Sequence, residues 1–355
     1  MANSVINRFL LVIIITTTIS SLIMVVEAQS SSSSFKCGTA ATCDAIIDYV
    51  SPNTTTLSAV KALFNVKNLR SILGVNNLPL TTPPNQTLNA NHTLKIPFTC
   101  SCANGTGTSN KRPVYTVVPG DGLYHIAAEV FGNLVTDHQI QAANNIKDAN
   151  LIFVGQKLWI PLPCSCDEVD GHRVLHYGHV VSPGSSIDAI AAQYNTSQET
   201  LLKLNGLTSP KDLMAGAVLD VPLPTCTSMI SNTSLDYPLL VPNGTYVFTA
   251  ANCVMCKCDA ANNWNLECER TEIKSSVWAT CPSTPCQFGS GQGGGCGVTE
   301  CAYAGYTNQT ILTASAPNTS TCPPVANGGA ILRQQAWGLD FLLISCIVFI
   351  STYLP

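Results

Sequence analysis

Three stretches of the chain carry one hydrophobic pattern, and each closes on an Ile/Val-Pro-apolar triplet: Ile96-Pro97-Phe98, Ile160-Pro161-Leu162 and Val221-Pro222-Leu223. In the second stretch, Val114 to Val118 reads as a short strand and Pro119-Gly120-Asp121-Gly122 as a turn, with Asp121 placed to cap a helix. Leu123, Ile126, Ala127 and Val130 then fall at i, i+3, i+4 and i+7, one apolar helical face that predicts Tyr124 and Ile126 as core neighbours. Gly132 ends that helix. Thr136 with Gln139 forms a capping box for a second helix carrying Ile140 and Ala143, and Lys157 to Ile160 returns as a strand.

The third stretch repeats the plan. His176 to Val181 is a strand, Ser182-Pro183-Gly184 a turn, Ser186 through Ala191 a helix, Thr196 to Glu199 a capping box, and Val218 to Val221 the closing strand. In the first, most divergent stretch, Tyr49 to Pro52 stands for strand and turn; Leu57, Val60 and Phe64 mark one helix, Leu69, Ile72 and Leu73 the next, and Leu94 to Ile96 the closing strand. An α+β unit of strand, helix, helix and strand therefore recurs at a period of about 50 residues, near the lower limit for a core that folds alone.

Cysteines offer the compensation. A Cys-x-Cys pair follows each of the first two copies, Cys100/Cys102 and Cys164/Cys166, which predicts modules stapled together rather than strung on linkers. From Cys226 to Cys322 helical periodicity stops, cysteines are dense and Gly289 to Gly295 is glycine-rich, the composition of a separate disulfide-held region whose pairing stays open.

The two ends set the compartment. Arg8 precedes an apolar run from Phe9 to Val26 that ends at Val26-Glu27-Ala28, the pattern of a signal peptide cut after Ala28; an uncleaved anchor is the competing reading, weakened by Thr16, Thr17, Thr18, Ser20 and Ser21 inside the run. Leu339 to Leu354 is apolar and follows Asn327-Gly328-Gly329 and a polar spacer, the pattern of a GPI-anchor signal with Asn327 as attachment site; a plain C-terminal membrane helix is the alternative. The expected division is signal peptide 1–28, modules 37–100, 113–163 and 175–224, Cys-rich region 225–322, linker 323–327 and removed propeptide 328–355. On that processing 17 cysteines become 16 as Cys346 leaves, an even number in an oxidising compartment. Nine sequons, at Asn53, Asn85, Asn91, Asn104, Asn195, Asn232, Asn243, Asn308 and Asn318, fit an extracellular glycoprotein.

Charge narrows the ligand. Only 11% of residues are charged, the net charge is −4 and no basic run exists, so nucleic acid and anionic lipid are poor partners and a neutral polar ligand fits better. Cys253-x-x-Cys256-x-Cys258 has metal-like spacing, but secretion favours disulfides. His172, His176 and His179 make no metal site, because positions 176 and 179 of a strand face opposite ways. Asp167, Glu168 and Asp170 read as solvated loop acids rather than a glycosidase pair, and no nucleophile elbow or phosphate loop occurs, so no catalytic residue, metal or cofactor is expected.

Val118-Pro119-Gly120-Asp121, Leu123-Tyr124-His125-Ile126-Ala127, the Asn144-Asn145 step and Val154 to Pro161 together resemble the lysin motif (LysM), a βααβ carbohydrate-binding module. Three such modules, a Cys-rich region and a GPI signal resemble the plant LysM-containing GPI-anchored receptor proteins of the chitin elicitor-binding group, a likeness that Leu63 to Gly74 shares and that spans nearly the whole chain. The resemblance implies β-1,4-linked N-acetylglucosamine oligomers as ligand, held by one module, usually the second. The positions that match are Gly120, Asp121, Gly122, Leu123 and Tyr124 on one loop, and Asn145, Ile146, Lys147, Asp148, Ala149, Asn150, Leu151 and Ile152 on the other. It also implies the pairs Cys37–Cys102, Cys43–Cys166 and Cys100–Cys164 and a LysM receptor kinase as signalling partner. Apart from the resemblance, one module grips weakly, so a long oligomer bridging two copies into a ligand-bridged homodimer would supply useful strength.

The chemistry is coherent without the likeness: a chitin chain offers amide donors, carbonyl acceptors and acetyl methyls, which loop backbone groups and small apolar pockets at Ile146 or Ile152 would satisfy. Gly122 departs from the Thr of many lysin motifs, and the first copy lacks the Gly-Asp turn, both of which direct attention to copy two. Asp121 reads equally as a helix cap without ligand contact. Peptidoglycan fragments, a LysM-bearing cell-wall glycan hydrolase and a structural wall tether remain as competing functions.

Overall fold

The first repeat runs β1 (Ala41–Val50), β2 (Thr55–Thr56), α1 (Leu57–Leu63), α2 (Leu69–Val75), β3 (Thr87–Leu88) and β4 (Thr93–Ala103), with a hairpin to β5 (Thr106–Ser109). The second contains β6 (Val114–Thr116), α3 (Leu123–His125), α4 (Asp137–Ala143) and β7 (Lys157–Trp159); the third, β8 (Leu175–Val180), α5 (Ile187–Gln193), α6 (Gln198–Leu204) and β9 (Val218–Leu223). This computed structural model describes residues 35–39, 41–292 and 299–317. The signal peptide, Asn318, Cys322, the linker, Asn327 and the propeptide lie outside the described residues.

Helix starts follow from polar side chains ahead of apolar runs. Thr56, Asn68, Thr136, Ser186 and Ser197 each accept a first-turn N–H as N-cap, and Thr136 with Gln139 forms the reciprocal capping box. The helix after Gly122 departs from the periodicity. Only Leu123–His125 is α-helical, and Ile126–Val130 widens into a π-turn, with the Phe131 N–H donating to the Ile126 carbonyl at 3.0 Å. The first repeat meets this segment: the Tyr49 hydroxyl donates to the Val130 carbonyl at 3.2 Å and Phe64 packs edge-on against Phe131 at 5.6 Å.

The repeats are not three beads. β1 pairs antiparallel with β4 on one side and parallel with β8 of the third repeat on the other, so one sheet runs β5-β4-β1-β8-β9, while β6 and β7 pair separately. Ala45 to Tyr49 are all buried, as a strand covered on both faces requires. Its alternation divides the work: Ile47 and Tyr49 enter a core shared by the first two repeats, whereas Ile46 enters the core of the third. Between them Asp48, 1% exposed, accepts from the Tyr177 hydroxyl at 2.5 Å and the Val180 N–H at 3.1 Å, and faces His179 Nδ1 at 2.9 Å. Gly178 lies opposite Ile47, and a Cβ there would come within 2.9 Å of the Ile47 side chain.

Disulfides close the arrangement. Cys37 joins Cys102, Cys43 joins Cys166, and Cys100 joins Cys164, with sequence separations of 65, 123 and 64. The sulfurs of Cys43, Cys100 and Cys166 lie within 4.8 Å of one another because two disulfides stack, not because they hold an ion. Gly107 permits this approach, since a Cβ there would sit 1.9 Å from the Cys164 carbonyl oxygen. Downstream, Cys226 bonds Cys258, Cys253 bonds Cys281 and Cys286 bonds Cys301, so the Cys253-x-x-Cys256-x-Cys258 spacing serves disulfides.

The region from 225 to 322, expected as one separate body, divides. Leu240–Phe248 and Met255–Leu266 group with the repeats in one compact unit. A second unit gathers Ser228–Leu239, Thr249–Val254 and the described residues from Glu267 onward, built around the hairpin of strands Thr299–Tyr306 and Ile311–Pro317. In that unit Asp236 accepts from the Thr249 hydroxyl at 2.6 Å and the Tyr303 hydroxyl at 2.7 Å.

The histidines of β8 serve the fold. His176 Nδ1 faces Asp220 Oδ1 at 2.9 Å while its Nε2 faces the Asp167 carbonyl at 2.8 Å, so both nitrogens meet acceptors and the imidazolium satisfies both. Burial opposes that charge, yet Asp220 and Asp167 outweigh it and hold His176 above the ordinary imidazole value; burial likewise pushes Asp220 up, with His176 opposing. Raised folded values for both groups mean stability that is present at low pH and lost as pH rises. We therefore expect the pair's contribution to fall as pH climbs past about 6.5, with His176→Gln less dependent than the parent in denaturant titrations over that range; equal slopes would contradict it. Ile47, fully buried at the strand that both cores share, is expected to cost about 2–5 kcal/mol when cut to Ala, read as a lowered denaturation midpoint.

Candidate functional site

Two loops of the second repeat are built on the β6–β7 pair, and each is held by its own short-range bonds. In the first, Gly120 takes φ +93°, a conformation that other residues enter at a cost, and the Asp121 N–H donates to the Val118 carbonyl at 3.2 Å. The Asp121 carboxylate accepts from the Val118 N–H at 2.7 Å and the Tyr115 hydroxyl at 2.9 Å, and meets His125 Nδ1 at 2.9 Å. Burial first, then the hydrogen bond and charge of Asp121, push the Tyr115 phenol up to about 12.

This geometry corrects one expectation for Asp121. It does not cap the helix: Gly122 is the N-cap and contributes no side-chain bond, whereas Thr56 and Ser186 do so in the other repeats. Its side chain is 1% exposed, and the carboxylate acts as the clamp of the turn. Leu123, at 3% exposure, and Ile126, fully buried, belong to the core. Tyr124, expected in the core, is instead 73% exposed, because it lies off the i, i+3, i+4 face on which Leu123, Ile126 and Ala127 fill the interior.

In the second loop, Asn144 fixes the base: its amide donates to the Ile140 and Trp159 carbonyls and accepts from the Trp159 N–H, all at 2.8 Å. Asn145 then turns the chain at φ +53°. Asp148 Oδ1 accepts from the backbone and side-chain nitrogens of Asn150, and the Phe153 N–H donates to Gln156 Oε1 at 3.1 Å. Gly155 donates to the Val117 carbonyl at 2.8 Å and Val117 donates to the Gln156 carbonyl at 2.9 Å, tying the two loops together.

Of the residues that sequence placed here, Gly120, Tyr124, Asn145, Lys147, Asp148, Asn150 and Leu151 are exposed. Gly122, Ile146, Ala149 and Ile152 are half-buried, and the last three pack against the shared core. Sequence reasoning missed Val118, Phe153 and Val154, which are 48%, 68% and 61% exposed. Their signal was an apolar run between Ile152 and Gly155 that fits neither helical nor strand periodicity and so had no core role to play. With Tyr124 and Leu151 they form an apolar rim on two polar loops, suited to an uncharged ligand with both methyl groups and amides. Among the described residues of the other repeats, the large exposed apolar side chains are Leu80 in the first and Met214 in the third.

The eight sequon asparagines among the described residues, from Asn53 to Asn308, are all exposed.

The LysM domain family matches residues 115–161 and 179–222, the second and third repeats. The LysM domain-containing GPI-anchored protein 2 of Arabidopsis thaliana is 47% identical over 318 residues, covering 88% of this chain and 90% of that protein. The chitin elicitor-binding protein of Oryza sativa subsp. japonica is 42% identical over 333 residues, covering 90% of this chain and 92% of that protein. Among solved structures, the ectodomain of a receptor like kinase aligns with TM-score 0.43 at 22% identity over 50% of this chain and 90% of that one. Fold and loops thus define a protein carrying LysM domains. At these identities over nine-tenths of its relatives, the chain belongs to the family of LysM domain-containing GPI-anchored proteins.

Asp121 is expected to set loop geometry. Asp121→Ala removes a buried acceptor from three donors and should destabilise the protein by about 2–3 kcal/mol, seen as a lower melting temperature without ligand; an unchanged melting temperature would assign it no structural role.

Proposed function

We propose that the protein is a non-enzymatic cell-surface receptor that binds N-acetylglucosamine oligomers of chitin through the second repeat. The observation that carries this reading is the rim of Val118, Tyr124, Leu151, Phe153 and Val154, five large apolar side chains left in solvent on two internally bonded loops. Such side chains suit the apolar faces and acetyl methyls of the sugar, while Asn145, Lys147, Asp148, Asn150 and the loop amides suit its hydroxyl and amide groups. The relative named a chitin elicitor-binding protein supports the same ligand.

The first repeat is, on this reading, a third and divergent LysM module. Its support is a shared device: Asn76, Asn144 and Asn205 each end the second helix and each pin the returning strand, to Lys95, Trp159 and Asp220, with bonds of 2.7 to 2.9 Å. A GPI lipid, which the names of relatives support, attached on this reading at Asn327, would hold the repeats outside the cell, with a LysM receptor kinase as the partner that carries the signal. One shallow site grips modestly, so a long oligomer bridging two copies would supply the remaining strength.

Calorimetric titration of the secreted protein tests this. Saturable binding is expected for a long chitin oligomer but not for cellulose oligomers, with no shorter products from labelled chitin. Tyr124→Ala and Phe153→Ala, both at exposed positions, should each weaken binding about tenfold, some 1.4 kcal/mol, with melting temperatures unchanged. Binding only to muropeptides would transfer the site to peptidoglycan, product formation would make the protein a hydrolase, and no binding at all would sink the receptor reading.

A further inference from the structure

A second concave site lies away from those loops. A cavity of about 520 Å3 opens within the unit that holds the repeats, with Lys95, Tyr194, Asn195, Asn243, Thr245 and Trp264 among its lining residues. Its volume falls within the range of about 300–1,000 Å3 typical of small-molecule sites. Two of those six, Asn195 and Asn243, are sequon asparagines, and both are exposed.

Trp264 is held in an uncommon conformation beside them. Asn263 and Trp264 take φ +51° and +58°, which for a bulky residue costs on the order of 1–2 kcal/mol. The Thr227 N–H donates to the Trp264 carbonyl at 2.7 Å and the Asn265 N–H to the Asn262 carbonyl at 3.0 Å, so the surrounding turn enforces it. Nothing in the cores described above calls for a tryptophan at that place, and strain of this kind is commonly retained where a side chain has a ligand to meet.

Asn243 is oriented as well as exposed. Its side-chain oxygen accepts from the Ala260 N–H at 2.8 Å, which fixes oxygen and nitrogen, because only the oxygen can accept from a backbone N–H. Nδ2, the atom that a sugar would occupy, is therefore directed off that bond. The Thr245 hydroxyl that completes the sequon donates to the Pro242 carbonyl at 2.7 Å and closes the same turn.

We infer that Asn243 carries an N-linked glycan whose innermost N-acetylglucosamine packs into this cavity against Trp264, making the glycan part of the fold. The sugar comes from a lipid-diphosphate-linked oligosaccharide: the bond from sugar C1 to the diphosphate oxygen breaks, Nδ2 of Asn243 bonds C1, and its proton leaves with the diphosphate. The sugar presents an apolar C–H face to the indole and an acetyl methyl to the cavity's aliphatic wall, while Lys95 and Gln193 offer donors to its hydroxyl and carbonyl oxygens. Asn195, on the same rim but without a comparable anchor for its amide, is the internal comparison.

Glycopeptide mass spectrometry of the full protein secreted from a eukaryotic host comes first, with Asn243 expected to be occupied. Next, an endoglycosidase that leaves one N-acetylglucosamine is compared with Asn243→Gln, which leaves none. The single sugar is expected to hold the melting temperature, and Asn243→Gln to lower it by about 2–4 °C. In a double-mutant cycle with Trp264→Phe, the two effects should be strongly non-additive, while Asn195→Gln adds independently. An unoccupied Asn243, a single-sugar form no more stable than Asn243→Gln, or additive effects with Trp264→Phe would each overturn the inference. No step uses the chitin ligand, so the outcome is independent of the proposed function.

Discussion

Everything in the repeat-bearing unit depends on one strand having no free face and no free edge. β1 is hydrogen-bonded on both sides, and its alternating side chains feed two cores, Ile47 and Tyr49 one way and Ile46 the other. A single repeat of two strands and two helices cannot bury enough apolar surface to be stable. Sharing β1 enlarges both cores without lengthening the chain, and the three disulfides near its start restrict the unfolded ensemble across loops of 64 to 123 residues. The cost is a buried carboxylate: Asp48 sits where β1 meets β8 and is tolerated because the Tyr177 hydroxyl, His179 and the Val180 N–H surround it.

The same sharing explains why the second repeat can leave its loops apolar and exposed. Its interior is completed by the first repeat, with Tyr49 and Phe64 reaching Val130 and Phe131. The helix widens at Ile126–Val130, and Tyr124, off its apolar face, lies in solvent. Stability there comes from neighbours, so the loops need only hold their own shape, which the Asp121 clamp and the Val117 bonds to Gly155 and Gln156 accomplish.

Periodicity made the elements legible: Thr136 with Gln139 caps α4 as its spacing signals, whereas Ser197 rather than the Thr196–Glu199 box caps α6, and each returning strand precedes or contains its Pro triplet. Three things were not legible, each because it is non-local. The parallel pairing of β1 with β8 joins residues separated by well over a hundred positions, and nothing in either strand's alternation names its partner. The π-turn ends at Val130, whose carbonyl meets Tyr49 of another repeat, whereas i, i+3, i+4, i+7 spacing reports only which side is apolar. Asp121 shows the limit at the site: a carboxylate before a helix reads as a cap, and only the fold reveals Tyr115 and His125 as competing partners. Phe153 and Val154 carried a readable signal in having no periodic role, but an apolar pair without a role is a hint of function only once the core is seen to be full without it.

The third repeat shows why equivalent folds do not make equivalent sites. Its core closes over a polar interior, His176 with Asp220, and Asn205 with the Asp220 backbone, and the large apolar side chain that its described loops leave well exposed is Met214. Buried charge must be satisfied completely, which ties β8, β9 and α6 to one geometry. The second repeat keeps the Asn144 device at the base of its loop but has no counterpart of the His176–Asp220 pair; its carboxylate is Asp121, which clamps the turn of the first loop. Placing the polar network in the interior of one repeat and at the mouth of the other divides them into a module that holds the assembly together and a module that offers a surface, from the same strand-helix-helix-strand plan.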